Sequence, residues 1–143
     1  MGTSKLSRAE VASKFVAGMN CSQCVLSQWA DELGYDEDEL RRMSAAFGGG
    51  MFRGDTCGAV TGALIAIGMA FGDDSALLHE KTAEFQRRFT ERCGALNCRD
   101  LIKYDFSVPG EKEKAMGAGV TIERCPIFVV TALEILDDMF AEL

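Results

Sequence analysis

Positive charge is scarce in this 143-residue chain: 15 lysines and arginines stand against 22 acidic residues, for a formal net charge of −7. No basic stripe offsets the imbalance, so the chain repels phosphate backbones and nucleic acid is not an expected partner. Strand patterning is missing as well, because no segment alternates apolar and polar residues convincingly. The first ten residues contain no apolar h-region, so no secretory signal is expected. The longest uncharged run lies between Asp55 and Asp73. It is rich in Gly and Ala and only about long enough to begin spanning a bilayer, so it reads as a buried core helix and stable membrane insertion is not expected. Internal repeats, linkers and low-complexity tracts are absent. Histidine occurs once, and His79 reads as a solvated residue on a polar helix.

What is present is an ordinary globular composition, 48% apolar and 26% charged, which argues against disorder. The length suits one domain spanning 1–143. Such a chain buries roughly 68–70% of its unfolded surface and needs no disulfide to be stable. Its six cysteines therefore call for a chemical explanation. Without a secretory signal they point to a reducing, cytoplasmic setting, where a cysteine cluster is more often catalytic or metal-binding than a disulfide frame.

Helical periodicity dominates, and the expected fold class is all-α: a compact single-domain bundle of about six or seven helices, with a Gly-rich loop before the central helix. Helices are expected over 7–17, 21–33, 37–47, 55–71 and 74–92, with a short one from Cys98 and a last one from Cys125-Pro126. Asn20 with Gln23, and Asp36 with Glu39, read as capping boxes. Gly48-Gly49-Gly50 breaks the chain before the central helix. Residues 103–120, with Pro109, Gly110, Gly117 and Gly119, read as one long loop.

These caps place four cysteines in the first turn of an expected helix. Cys21 follows Asn20, Cys57 follows Asp55-Thr56, Cys98 follows Asn97, and Cys125 precedes Pro126. Unpaired N–H groups and the positive end of the helix dipole stabilise a thiolate there, and thiolate is the form that attacks disulfides and binds metals. A single buried cysteine is most simply a small hydrophobe; four at helix starts favour function. Cys21-Ser22-Gln23-Cys24 adds a Cys-x-x-Cys pair whose members share a helical face, so Cys21 and Cys24 are an expected exchanging pair. The thioredoxin reading would require a βαβ setting, which these flanks do not offer.

The order of these residues resembles the C-GCAxxG-C-C family of redox-active proteins. The match runs through Asn20-Cys21-Ser22-Gln23, the triple glycine, Cys57-Gly58-Ala59-Val60-Thr61-Gly62, Cys98-Arg99-Asp100-Leu101 and Cys125. The resemblance implies that Cys21, Cys57, Cys98 and Cys125 are the family's four cysteines, with Cys24 and Cys93 as additions. It implies redox chemistry and names no substrate.

Two forms of that chemistry are open. Cys21, Cys57, Cys98 and Cys125 could ligate an iron–sulfur cluster. Alternatively Cys21, Cys24 and Cys57 could act catalytically by cycling between dithiol and disulfide. Gly49 and Gly50 are candidate cofactor-binding positions, with one glycine expected to reach the thiol pocket through its backbone N–H. Gly50→Ala is expected to retain the fold while perturbing the site. Competing readings are a non-enzymatic protein holding Zn²⁺ in an all-cysteine site, or a helical interaction protein with inert cysteines and no metal. A redox protein or electron donor is the expected partner, and a homodimer is compatible with the sequence.

Several patterns are set aside. Gly49 to Thr56 has P-loop spacing, but Asp55 replaces the required lysine and no strand precedes it. Gly58-x-x-x-Gly62 is helix-packing chemistry. The acidic clusters Asp36 to Glu39 and Asp137-Asp138 are a capped helix start and a solvated face.

Overall fold

The computed structural model describes residues 2–141 and 143. Among the described residues the fold is all-α, with ten α-helices and one isolated antiparallel bridge, Thr56 with Asn97. The helices are α1 (Arg8–Val16), α2 (Cys21–Ser27), α3 (Ala30–Leu33), α4 (Glu37–Met43) and α5 (Gly58–Phe71), followed by α6 (Ser75–Cys93), α7 (Cys98–Ile102), α8 (Glu111–Gly117), α9 (Val120–Glu123) and α10 (Cys125–Met139).

α5 is the centre, and its small residues explain why. It packs against α2, α6 and α10. A β-carbon on Gly62 would stand 2.6 Å from the Ser22 carbonyl oxygen, so the two backbones approach as only glycine permits. Ala59, Ala63 and Ala66 are fully buried on the same helix. α10 contributes the largest apolar face, including Phe128, Val129, Leu133 and Leu136. α6 is mostly polar and buries only Phe85 and Phe89. It is tied to α10 by Arg92 donating to Glu134 at 3.0 Å and by an Arg88–Asp138 ion pair.

Three expected segments are redrawn locally, and two of the changes, the division of 21–33 and the helices within 103–120, raise the count from six or seven to ten. The helix expected over 21–33 tightens where the Gln28 and Trp29 N–H groups donate to the carbonyls three residues back, dividing α2 from α3. That tightening seats Trp29 edge-on against Phe140, with ring centroids 4.9 Å apart. The helix expected over 37–47 ends at Met43, where the buried Ser44 hydroxyl donates back to the Leu40 carbonyl at 2.7 Å. A short 3-10 turn, Ala45–Phe47, follows. The loop expected over 103–120 contains α8 and α9, with Gly110 (φ 87°) and Gly119 (φ 74°) as the left-handed residues that start each one.

The capping box at Asn20 and Gln23 is present, with each side chain accepting the other's backbone N–H. Asp36 caps α4 through the N–H of Asp38, and Glu39 takes no part in a box. Asn97 stands at the cap of α7 without a side-chain cap bond. No helix of the described residues is long and apolar enough to cross a membrane.

Candidate functional site

Cys21 is the first residue of α2, Cys57 immediately precedes α5, Cys98 opens α7 and Cys125 opens α10. All four line one cavity of about 490 Å³, together with Gly48 and Gly49. Cys57 and Cys98 are buried, and Cys21 and Cys125 are half-buried.

Local structure explains how four distant cysteines meet. The Thr56–Asn97 bridge joins two otherwise separate turns: the Cys57 N–H donates to the Leu96 carbonyl at 2.8 Å, and the Cys98 N–H donates to the Asp55 carbonyl at 2.6 Å. Arg99 reinforces the link by donating to the Asp55 carboxylate at 2.8 Å. At Cys21 the controlling contact is Gly58, where a β-carbon would stand 2.6 Å from the Cys21 sulfur and 3.0 Å from the Ser22 nitrogen. The Cys-Gly-Ala-x-x-Gly segment thus has a mechanical reading. Gly58 and Gly62, four residues apart on one face, let α5 press onto Cys21 and Ser22.

The triple glycine builds the remaining wall. Residues 49–52 all adopt left-handed backbone angles, Gly49 (φ 57°), Gly50 (φ 63°), Met51 (φ 58°) and Phe52 (φ 59°), and the turn closes with the Asp55 N–H donating to the Gly50 carbonyl at 3.0 Å. Such angles cost a non-glycine residue roughly 1–2 kcal/mol each. The turn directs the Gly49 N–H at the Cys21 sulfur and places Phe52 at the cavity mouth. Gly50 is buried and does not line the cavity, and a β-carbon there would stand 2.4 Å from the Asp55 nitrogen. The expectation that Gly50→Ala retains the fold is corrected by that clash with backbone. Gly49 is the glycine that reaches the thiols.

The electrostatics divide the thiols sharply. Cys21 is drawn down to about 6, first by the hydrogen bond that the Cys57 S–H donates to it. Burial opposes this, and the backbone N–H groups of Gly49, Cys21 and Gly58 add to the lowering. A sulfur receiving that many donors is held as thiolate. Cys57 is pushed well up by the same hydrogen bond, by burial and by the Cys21 charge. Burial pushes Cys98 up to about 12 and raises Cys125, and the Cys21 charge adds to both. The result is one thiolate facing three protonated thiols.

Cys24 stands elsewhere. It is fully buried in the core and does not line the cavity, and burial pushes it up to about 12. The structure therefore brings Cys21 to Cys57 rather than presenting Cys21 and Cys24 together. Cys93 is the last residue of α6, half-buried and away from the cavity. Among the described residues no three Cys, His, Asp or Glu side chains form a group that could hold a metal ion.

Sequence reasoning overlooked Phe106, Lys112 and Met116, which line the cavity from the segment read as a loop. The available signal was the four-residue spacing of Lys112 and Met116, which puts both on one face of a helix.

The fold is all-helical among the described residues, and its site is a cavity lined by four cysteines from separate segments. The chain belongs to the family described as "Putative redox-active protein (C_GCAxxG_C_C)", whose model matches residues 19–139. Comparison with curated proteins and comparison with solved structures each returned no match.

Proposed function

We propose that this is a thiol–disulfide redox protein in which Cys21 is the attacking thiolate and Cys57 the resolving thiol. The observation that carries the reading is geometric: Cys21 and Cys57 line one cavity, and Gly58, the residue after Cys57, lies so close that a β-carbon there would stand 2.6 Å from the Cys21 sulfur. Cys21 attacks one sulfur of a substrate disulfide, forming a mixed disulfide and releasing the other sulfur as thiolate. Forming that bond removes the Cys21 charge, which with the hydrogen bond had kept the proton on Cys57. The Cys57 proton then passes to the departing thiolate. Cys57 attacks the Cys21 sulfur, the second substrate sulfur leaves, and a Cys21–Cys57 disulfide remains. Two electrons have moved from the protein pair to the substrate, and the reverse sequence oxidises a substrate dithiol.

Mild oxidation with diamide followed by peptide mass mapping tests this. The expected product is a Cys21–Cys57 disulfide, absent from Cys57→Ser. A Cys21–Cys24 linkage, or no intramolecular disulfide, would sink the assignment.

A second reading starts from the convergence of four cysteines on one cavity, with Cys21, Cys57, Cys98 and Cys125 ligating an iron–sulfur cluster, although among the described residues no three of them form a group that could hold a single metal ion. Iron and sulfide content after purification without oxygen separates the two. Stoichiometric iron lost on substituting any of the four supports the cluster, and iron-free protein that still cycles its thiols supports the first reading.

A further inference from the structure

The thiol cavity has an uneven chemical character. Its wall is largely aromatic and aliphatic, with Phe15, Met19, Leu101, Phe106 and Phe128 contributing. No Asp or Glu lines it, although the chain carries 22. Besides the Cys21 thiolate, Lys112 is its one charged lining residue. That side chain is exposed on α8, with Nζ 5.6 Å from the centre of the Phe52 ring. Its neighbour Lys114 is paired with Glu111 at 3.6 Å, whereas Lys112 has no carboxylate partner among the described residues. Val16, Phe52, Met116 and Ile122 also line the cavity and are exposed. Contiguous exposed apolar residues on a charged chain mark a binding surface.

We propose that the cavity binds a small organic anion with an apolar body, its anionic group at Lys112 and its body over Cys21 and Cys57. As the substrate class of that thiol pair, the assignment rests on the thiol–disulfide reading. As a binding site it stands on the lining alone. The volume of about 490 Å³ falls in the range of small-molecule sites. Cys57 and Cys98 are 5% and 6% exposed, so a small molecule entering the concavity reaches sulfurs that a folded protein surface does not. At the mouth charge selects the anion, because the exposed Lys112 ammonium stands there with no Asp or Glu in the wall, while the apolar body of the ligand, not its anionic group, lies against the Cys21 thiolate.

Calorimetric titration with decanoate and with decyltrimethylammonium tests this on the wild-type chain, Lys112→Gln and Cys21→Ser. Decanoate is expected to bind the wild type in preference to the cation, and to lose about fivefold in affinity in Lys112→Gln. Cys21→Ser removes a negative charge beside the bound body and is expected to bind decanoate more tightly than the wild type, and weaker binding would count against the proposed pose. No binding of decanoate, equal binding of the cation, or an unchanged affinity in Lys112→Gln would overturn the proposal. Decanoate binding by a protein that forms no Cys21–Cys57 disulfide would leave the anion site standing and remove only its redox role.

Discussion

Gly58 faces Cys21 so closely that a β-carbon on residue 58 would stand 2.6 Å from the Cys21 sulfur. The reactive sulfur, the first turn of the central helix and the backbone amide of Gly58 therefore form one contact. Gly58→Ala should push α5 away from Cys21, costing about 1–3 kcal/mol. It should also slow alkylation of Cys21 by iodoacetamide at neutral pH. Gly68 lies on the same helix with nothing within 4 Å of its would-be β-carbon. Gly68→Ala should gain up to ~1 kcal/mol and leave alkylation unchanged. Equal alkylation rates in both variants would mean that the Gly58 contact does not control the thiol.

The thiols should imprint a two-sided pH dependence on stability. Cys21 has a folded value of about 6, below the ~8.5 of an unperturbed thiol. Its stabilisation is therefore fully present above ~8.5 and is lost as pH falls towards 6. Cys24 and Cys98 are held up to about 12 by burial, so their contribution is present below ~8.5 and lost as pH rises towards 12. Urea melts of the reduced protein should show stability rising on the acid side and falling on the alkaline side. Cys21→Ser should remove the acid limb and also soften the alkaline one, because the Cys21 charge helps hold Cys24 and Cys98 up. An acid limb that survives in Cys21→Ser would assign it to some other group.

The two members of the Cys-x-x-Cys pair should respond differently to substitution. Cys24 is fully buried outside the cavity, so Cys24→Ser places an added hydroxyl in the core and should cost about 1–3 kcal/mol while sparing Cys21 reactivity. Cys57→Ser should abolish disulfide formation with a smaller loss of stability. Cys93→Ser, at the end of α6, should leave both Cys21 alkylation and the disulfide intact. Loss of thiol exchange in Cys24→Ser at a temperature where it remains folded would return Cys24 to the site.

Met51 and Lys103 carry side chains at φ 58° and 66°, where glycine is easier. Neither lines the cavity. Met51→Gly and Lys103→Gly should each stabilise the fold by about 1 kcal/mol in thermal melts. Gly50→Ala should do the opposite, by several degrees or more, because its β-carbon meets the Asp55 backbone. A Met51→Gly variant that melts lower than the wild type would mean that its side chain holds the left-handed turn together.

Much of this was legible in the residues because it depends on short-range chemistry. Asn20 with Gln23 announces the start of α2 and so places Cys21 there, whereas the cap signals at Asp55-Thr56 and Asn97 pointed to the right neighbourhoods without forming caps: α5 begins only at Gly58, and Asn97 makes no side-chain cap bond. The small-residue face of α5 also declares a central helix, since only close neighbours require it. Helix number was less legible: residues 103–120 conceal α8 and α9, because α8 buries only Ala115 and so shows little apolar periodicity.

That Cys21 faces Cys57 rather than Cys24 was decided by tertiary structure alone. Sequence spacing pairs Cys21 with Cys24, but α2 turns Cys24 into the core, while the Gly58 contact and the Thr56–Asn97 bridge bring Cys57 and Cys98 to the cavity from remote segments. The division into one thiolate and three thiols has the same origin. Residue order determines that a cysteine begins a helix, but the donors that hold Cys21 charged come from Gly49, Cys57 and Gly58, and only the packing of α5 onto α2 brings them together.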